Sequence, residues 1–325
     1  MLNDIPAVLK PLFTLKLSCH CNVLAVAKDL CGENFLSTKN CVFFENKFID
    51  SKKAKIHVLN HSLHFSSSVF DGIRVYNKKT LFLGEHLDRL YLSAKLMKLT
   101  INLKKRKLIS TINKLIKLNK IKDGYIRPII FRSSHSMSPE TSNCKSIIAI
   151  AAWKWGTLFN VEKGITLMLS RYPRLNKSIF PIHAKSSGSY QVAVVSRVEA
   201  RKKKFDDCLM LDIKGNVAES TACNIFWIKN SIIYTPKEHS ILQGITRKAV
   251  IEICKRNRIK VNIGNFKLKT ILNADHVFVT GTAAEIQTVR KIKNKNYKTN
   301  SKIINLIKDS YNEIKTKSPV STSKI

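Results

Sequence analysis

The sequence predicts a mixed α/β protein of two domains, a smaller α/β domain followed by a larger one. Three observations carry that prediction. The chain has 325 residues, more than one hydrophobic core of ordinary size requires. Its composition is 44% apolar and 24% charged, a globular balance. Strand-like and helix-like periodicities alternate along it, interrupted by a polar, glycine-containing break over 154–160 that reads as a linker. The expected division is an N-terminal extension of unassigned role over 1–40, a small domain over 41–153, the linker, a large domain over 161–317 and a tail over 318–325.

The elements follow in order. Residues 41–50 read as two short strands turning at Asn46-Lys47. Ile73 to Tyr76 and Leu81 to Leu83 form a hairpin pattern across Asn77-Lys78-Lys79. A helix is expected over 85–99, with Leu87, Leu90, Tyr91, Ala94 and Met97 on one face. Arg89 lies off that face, either solvated or turned toward a ligand. A second helix over 107–118 buries Leu108, Ile112, Leu115 and Ile116 and turns its lysines to solvent. Residues 125–131 and 146–153 look like buried strands. Arg127 is notable there, because a charge in such a run needs a partner. Beyond the linker come a strand over 165–170 and a helix over 190–203 with Val192, Val195 and Val198 inward. Next are a strand over 209–213 and a hairpin turning at Lys229-Asn230. A helix then opens at Gly244-Ile245-Thr246-Arg247, and a last strand over 275–280 ends in Gly281-Thr282-Ala283-Ala284-Glu285.

Composition narrows the partners. The net charge of +35 raises nucleic acid as a partner, but the cations run through the whole length. The field favours anionic small substrates, and a nucleic-acid-binding protein is the alternative from another class. Of the eight cysteines, none forms a Cys-x-x-Cys pair, so reduced thiols in a cytoplasmic-type compartment are expected. No uninterrupted apolar run is long enough for a membrane span. Residues 17–27 loosely resemble a secretory segment, but Lys28 and Asp29 follow at once. His57, His61 and His64 need a helix to converge on a metal, and Val58 and Asn60 disfavour one, so no metal is assigned.

The candidate chemistry centres on Ile182-His183-Ala184-Lys185-Ser186-Ser187-Gly188-Ser189-Tyr190. Small neighbours let a planar ligand lie against the backbone. Partial burial would favour the neutral amine of Lys185, the nucleophile that makes a Schiff base with an aldehyde such as pyridoxal phosphate. Such a site needs a phosphate cup. The helix start at Gly244-Ile245-Thr246 offers free N–H groups, and Gly281-Thr282-Ala283 offers a small-residue turn. It also needs an acid for the pyridine nitrogen, and Glu219 is the only acid between Asp212 and Glu238.

Together, His183-Ala184-Lys185, Tyr190, Glu219 with Asn224-Ile225-Phe226, Gly244-Ile245-Thr246-Arg247 and Gly281 through Ile286 resemble the fold-type IV pyridoxal-phosphate enzymes in order and spacing. Ser68-Val69-Phe70-Asp71-Gly72-Ile73-Arg74-Val75-Tyr76, His86-Leu87-Asp88-Arg89-Leu90 and Tyr125-Ile126-Arg127-Pro128 are similar to the branched-chain amino-acid aminotransferases of that class. The resemblance covers about 41–308 and implies a barrel-like sheet in the larger domain and a homodimer or higher homo-oligomer. The implied cofactor is pyridoxal 5′-phosphate, on Lys185 as a Schiff base. Glu219 would hold the pyridine nitrogen and Tyr190 the phenolate oxygen. Arg89, Ile245, Thr246 and Thr282 would hold the phosphate. Thr282 and Ala283, with Tyr125, would receive the substrate carboxylate. Phe70, Tyr125 and Trp155 would wall the side-chain pocket, and Arg127 would meet the second carboxylate of glutamate. The implied reaction is ping-pong amino transfer between L-leucine, L-isoleucine or L-valine and 2-oxoglutarate, with amino acids and 2-oxo acids as partners.

Three departures stand out. Ser220-Thr221-Ala222-Cys223 replaces the usual glycine-rich turn, and Phe65 and Leu158 stand where tyrosines are common. The turn is similar to that of aminodeoxychorismate lyases. The alternatives within the class are that lyase and a D-amino-acid transaminase.

Overall fold

The computed structural model describes residues 40–134, 136–156, 158–159, 163–317 and 321–322. The extension over 1–39, with Cys19, Cys21 and Cys31, most of the tail and part of the expected linker lie outside the described residues.

The first half supplies β1 (Cys41–Phe44), β2 (Lys47–Asp50), α1 (His61–Phe65), β3 (Ser68–Phe70), β4 (Ile73–Tyr76), β5 (Lys79–Thr80), α2 (Leu83–Leu96), α3 (Lys105–Leu118), β6 (Gly124–Arg132) and β7 (Ser146–Lys154). The strands form an antiparallel sheet in the order β2-β1-β7-β6-β4-β5, with β3 also on β6. Both helices put the expected faces onto it: Leu87, Leu90 and Ala94, then Leu108, Ile112, Leu115 and Ile116, pack with Ile73, Ile126 and Ile150. Pro128 has no N–H to give a central strand. It is accommodated because β6 pairs with β4 up to Ile126 and with β3 from Ile129, leaving Arg127 and Pro128 beside the break at Asp71-Gly72.

The second half supplies β8 (Ile165–Leu169), α4 (Gln191–Lys202), β9 (Asp207–Leu211), β10 (Val217–Ser220), β11 (Asn224–Lys229), β12 (Ile232–Pro236), α5 (Ile245–Arg256), β13 (Val261–Gly264), α6 (Leu268–Leu272), β14 (His276–Gly281), β15 (Glu285–Ile292), β16 (Lys295–Asn296) and α7 (Lys302–Lys317). Strands β10-β9-β8-β15-β14-β11 form a ring that closes through the pair Glu219–Asn224. This is the expected barrel-like sheet. The period-two pattern sorts its faces. Ile225, Trp227, Val277 and Val279 fill the interior with Ile165 and Leu209. Phe226, Ile228 and Phe278 face outward under α5 and α7, against Val250, Ile253, Ile304 and Ile307.

Several local expectations are corrected. The first hairpin turns at Glu45-Asn46, not Asn46-Lys47, and the later one at Asn230-Ser231, not Lys229-Asn230; both central residues of each have positive φ. That left-handed pair matches the twist of two-residue hairpins, so backbone conformation rather than polarity sets the turn. Leu81 to Leu83 is not a strand: only Lys79 and Thr80 pair with β4, and Leu83 already opens α2. Leu81 and Phe82 are buried against the second half instead. A short helix does form over His61–Phe65, because the Asn60 side chain accepts from the Ser62 and Leu63 N–H groups. The inner face of α4 is Ala193, Ser196 and Ala200, while Val195 and Val198 are exposed. Small residues admit a close approach to the sheet, and the Ser196 hydroxyl meets Ser170 Oγ at 2.9 Å. Apolar character alone misplaces that face by one position.

No described helix is long and apolar enough to cross a membrane. Asn119, at the end of α3, ties the helix to the sheet edge: Oδ1 accepts from Cys41 N–H at 2.8 Å, and Nδ2 donates to the Cys41 and Ala152 carbonyls at 2.9 and 2.8 Å. Asn119→Ala is expected to lower unfolding free energy by roughly 1–3 kcal/mol in urea titrations, through the stranded partners.

Candidate active site

A cleft of about 910 Å³, counting the part open to solvent, lies where the first sheet meets the barrel mouth. The twelve residues that the resemblance assigns to cofactor or substrate all line it: Phe70, Arg89, Tyr125, Arg127, Trp155, Lys185, Tyr190, Glu219, Ile245, Thr246, Thr282 and Ala283.

Lys185 reaches the cleft from a segment stitched to the first sheet. Its carbonyl accepts from Phe70 N–H at 3.0 Å and its N–H donates to Ser93 Oγ at 2.9 Å. Its Nζ lies 2.6 Å from the Tyr190 hydroxyl. The rings of Phe70 and Tyr190 flank the amine at 5.2 and 5.1 Å. The amine is thus placed in a cleft wall with one polar partner and two aromatic faces.

Glu219 forms the floor. Its Oε1 accepts from Arg174 Nε at 2.7 Å and its Oε2 from Asn224 Nδ2 at 2.9 Å, while the Leu242 N–H lies 3.3 Å from Oε2. Burial pushes the Glu219 carboxyl above its ordinary range, and Arg174 and the Leu242 N–H oppose that rise. Arg174 is itself buried and donates to the Ser189 carbonyl at 2.8 Å, linking the acid to the lysine segment.

Arg89 is neither solvated nor loose. Its Nε and Nη2 bond Asp71 at 2.8 and 2.7 Å, and its Nη1 donates to the Gln243 carbonyl at 3.2 Å beside α5. Asp71 also meets His86 Nδ1 at 2.7 Å and accepts from Gly72 N–H at 2.7 Å. Burial would raise its carboxyl, but Arg89 and His86 outweigh burial and hold it well below the usual carboxylate range.

The two candidate cups are where the sequence puts them. Helix α5 starts at Ile245 after Gly244, with no side-chain cap and no acid in its first turn. Its first N–H groups therefore have no partner within the helix. A Cβ at Gly244 would lie 1.9 Å from Asn224 Oδ1, so only glycine admits that contact. The Gly281–Glu285 turn lies across the cleft wall, its Ala283 carbonyl accepting from Leu158 N–H at 3.0 Å. Two buried polar atoms lining the cleft have no partner among the described residues, Arg127 Nε and Thr280 Oγ1. Arg127 stacks over the Phe70 and Tyr125 rings at 4.7 and 5.4 Å, and Trp155 meets Tyr125 edge-on at 4.7 Å. Gly72 is required beneath them, since a Cβ there would lie 1.6 Å from the Tyr125 hydroxyl oxygen. An amine, a buried acid, two N–H cups and an aromatic wall form a donor set that fits pyridoxal phosphate and an amino-acid substrate.

Sequence reasoning missed Arg174, Asp71, His86, Ser93 and Arg197. Asp71 carried a signal, an acid inside an apolar run, whereas Arg174 and Arg197 were indistinguishable among 57 cations. Of the departures, Leu158 lines the cleft, while Phe65 is exposed and packs on His61. Thr221 Oγ1 donates to the buried Asp207 at 2.5 Å, and Cys223 N–H donates to Ser220 Oγ at 3.1 Å, so side chains rather than glycines hold that turn. The histidines do not converge on a metal: His57 Nδ1 accepts from Leu59 N–H, His61 lies between Ser67 and Ser138, and His64 meets the Val58 carbonyl. No metal-ligating cluster exists among the described residues.

Arg174→Leu leaves Glu219 buried without its cation, so unfolding free energy should fall by roughly 3–5 kcal/mol, read from urea midpoints at pH 7. Asp71 titrates lower folded than unfolded. Its contribution is therefore present above the unfolded value near pH ~4 and is lost as pH falls through the depressed folded value. The stability gap between wild type and Asp71→Asn should be full at pH 7 and shrink progressively below pH ~4, as measured by unfolding at a series of pH values.

The family model for amino-transferase class IV matches residues 68–292. A probable branched-chain-amino-acid aminotransferase of Rickettsia bellii is 35% identical over 84% of this chain and 95% of its own length. The branched-chain aminotransferase of Thermoproteus uzoniensis with norvaline superposes with a TM-score of 0.83 at 29% identity, over 87% of this chain and 97% of that one. The T.th. branched-chain amino acid aminotransferase complexed with N-(5′-phosphopyridoxyl)-L-glutamate gives a TM-score of 0.81 at 30% identity, over 87% and 96%. Most of the chain, including every strand of the barrel and the whole cleft wall that faces it, falls within these matches, and the chain belongs to the class IV aminotransferase family.

Proposed function

We propose that this chain is a pyridoxal 5′-phosphate-dependent branched-chain-amino-acid aminotransferase. It moves an amino group between L-leucine, L-isoleucine or L-valine and 2-oxoglutarate by a ping-pong route. The observation that carries the reading is the Lys185 amine, 2.6 Å from the Tyr190 hydroxyl, in a cleft floored by the Glu219–Arg174 pair. The names of the relatives support the substrate class.

Pyridoxal phosphate, when bound, supplies an aldehyde for the lysine amine and a ring that takes up electron density from the substrate Cα. The remaining work belongs to side chains of this protein. Lys185 Nζ takes and returns the proton at the substrate Cα. Glu219, fixed by Arg174 and Asn224, holds the proton on the ring nitrogen. Tyr190 donates toward the phenolate oxygen. Arg89, the N–H groups of Ile245 and Thr246, and the Thr282 hydroxyl hold the phosphate. The Thr282 and Ala283 N–H groups and the Tyr125 hydroxyl receive the α-carboxylate. Phe70, Tyr125 and Trp155 shed water from an aliphatic side chain. Arg127, whose Nε is buried without a partner among the described residues, meets the second carboxylate of glutamate. One pocket thus takes both an apolar and an acidic substrate, because the cation is sheathed by aromatic rings.

The protein is further proposed to assemble as a homodimer or higher homo-oligomer in the cytoplasm. Val194, Val195 and Val198 on α4, with Val58, Leu59 and Leu63 near α1, leave large apolar side chains exposed in support of assembly. The free cysteines Cys41, Cys144, Cys208, Cys223 and Cys254 are consistent with a reducing compartment.

Purified protein loaded with pyridoxal phosphate should show a visible band that falls on adding L-leucine without a keto acid. A band that ignores L-leucine but responds to D-alanine would move the activity elsewhere in the family. Lys185→Ala should lose turnover by several orders of magnitude while keeping its circular dichroism, and retained activity would end the proposal. Arg127→Leu should lower kcat/KM for glutamate on the order of a hundredfold and for leucine much less. Equal losses for both substrates would assign Arg127 to structure.

A further inference from the structure

Glu285 is one of fourteen described non-glycine residues with positive φ, and its side chain is held at both carboxylate oxygens. It closes the turn after Thr282, Ala283 and Ala284, pairs with Gly281 across the β14–β15 hairpin, and has φ 53°. That left-handed conformation suits glycine and disfavours any residue with a Cβ. Turns elsewhere in this chain also place non-glycine residues at positive φ, so what sets Glu285 apart is the anchoring of its side chain.

That side chain is tied at both oxygens. The Tyr76 hydroxyl, from β4, donates to Oε1 at 2.6 Å. Lys315 Nζ, from α7, meets Oε2 at 2.7 Å, and the two charged groups are 19% and 18% exposed. Burial first, then Tyr311 and Glu285, push the Tyr76 phenol upward, so it stays a neutral donor. Lys315 also lies over the Tyr76 and Tyr311 rings at 5.2 and 5.9 Å. The tie extends to other walls of the cleft. Arg74 Nε donates to the Tyr76 hydroxyl at 3.3 Å, and Arg74 Nη1 bonds the carbonyls of Trp155, at 3.2 Å, and Gly156.

We propose that Glu285 is a positioning residue for the substrate α-carboxylate: anchored by Tyr76 and Lys315, it fixes the Thr282-Ala283 turn so that the N–H groups of that turn face the carboxylate. This rests on the aminotransferase reading of the cleft. The C-terminal helix thereby acts on substrate binding without lining the site, through Lys315.

The test uses the pyridoxal phosphate-loaded enzyme and Glu285→Gly, which relieves the backbone and removes the tie. Its thermal midpoint should stay within a few degrees of wild type, and its visible band should be retained. The apparent dissociation constant for L-leucine, from loss of that band without a keto acid, should rise roughly ten- to hundredfold, with kcat falling less than kcat/KM. Glu285→Gln, which keeps an acceptor for Tyr76, should recover part of the loss. Where Glu285→Gly fails to fold, Tyr76→Phe carries the same comparison, with a weaker response to L-leucine expected. A wild type that responds to L-leucine beside a Glu285→Gly or Tyr76→Phe variant with the same dissociation constant overturns the role of Glu285 alone. A wild type that ignores every L-amino acid overturns the aminotransferase reading, and the carboxylate role with it.

Discussion

Lys185 belongs by sequence to the second half of the chain and by hydrogen bonding to the first sheet. Phe70 N–H and Ser93 Oγ hold its backbone, Ser186 bridges to Val69, and the Ser187 hydroxyl meets the carbonyls of Ser66 and Ser68. The amine is therefore fixed relative to both sheets at once. Each such bond is worth only about 1 kcal/mol net, but together they remove the freedom that a lysine on a loop would have. The run of small residues in this segment is what lets the backbone approach β3 closely enough to form these bonds. The rest of the cleft depends on this seam, because every other group has meaning only by its placement around that nitrogen.

Two buried acids complete the placement, and neither is where stability alone would put one. A buried ion pair returns little net stability after desolvation. Glu219 sits on the closing pair of the barrel, opposite Asn224, so the step that makes the sheet a ring also sets the floor of the cleft. Arg174 reaches that acid and the Ser189 carbonyl together, coupling the floor to the turn that carries Tyr190. Asp71 does the equivalent on the other side. It occupies the break between β3 and β4, holds Arg89 in a forked bond and leaves its third nitrogen for Gln243, next to the start of α5. Both acids fix an arginine in one orientation, which a flexible cation at the surface does not achieve.

Much of this was legible in the sequence, for reasons that differ by residue. Helix periodicity put Leu108, Ile112, Leu115 and Ile116 inward without error, whereas Ile225 to Ile228 is apolar on both faces, so its pattern does not separate the inside of the barrel from the outside. Motif order gathered the cleft residues, because their separations of tens of residues carry the topology with them. What failed was local and steric. The inward face of α4 is set by the small Ala193, Ser196 and Ala200, which no hydrophobic pattern ranks above three valines. Two hairpin turns were displaced because positive φ, not polarity, selected their residues. Arg174 went unrecognised because its partner, Glu219, lies 45 residues away and only closure of the barrel brings them together.

The charge of the cleft follows from counting partners rather than residues. Arg89, Arg127, Arg174 and Arg197 all line it. Asp71 answers Arg89 and Glu219 answers Arg174, whereas Arg127 and Arg197 form no ion pair among the described residues. With Lys185, the cleft therefore keeps an excess of positive charge that is suited to a phosphate and one or two carboxylates. The overall +35 adds less than its size suggests. At physiological ionic strength a charge is screened over about 8 Å, so surface lysines on α3 steer anions toward the molecule but do not select among them. Selection falls to the unpaired arginines inside the cleft. There water is partly excluded and the aromatic faces of Phe70 and Tyr125 lie against Arg127, so a carboxylate that arrives gains an interaction which no exposed lysine offers.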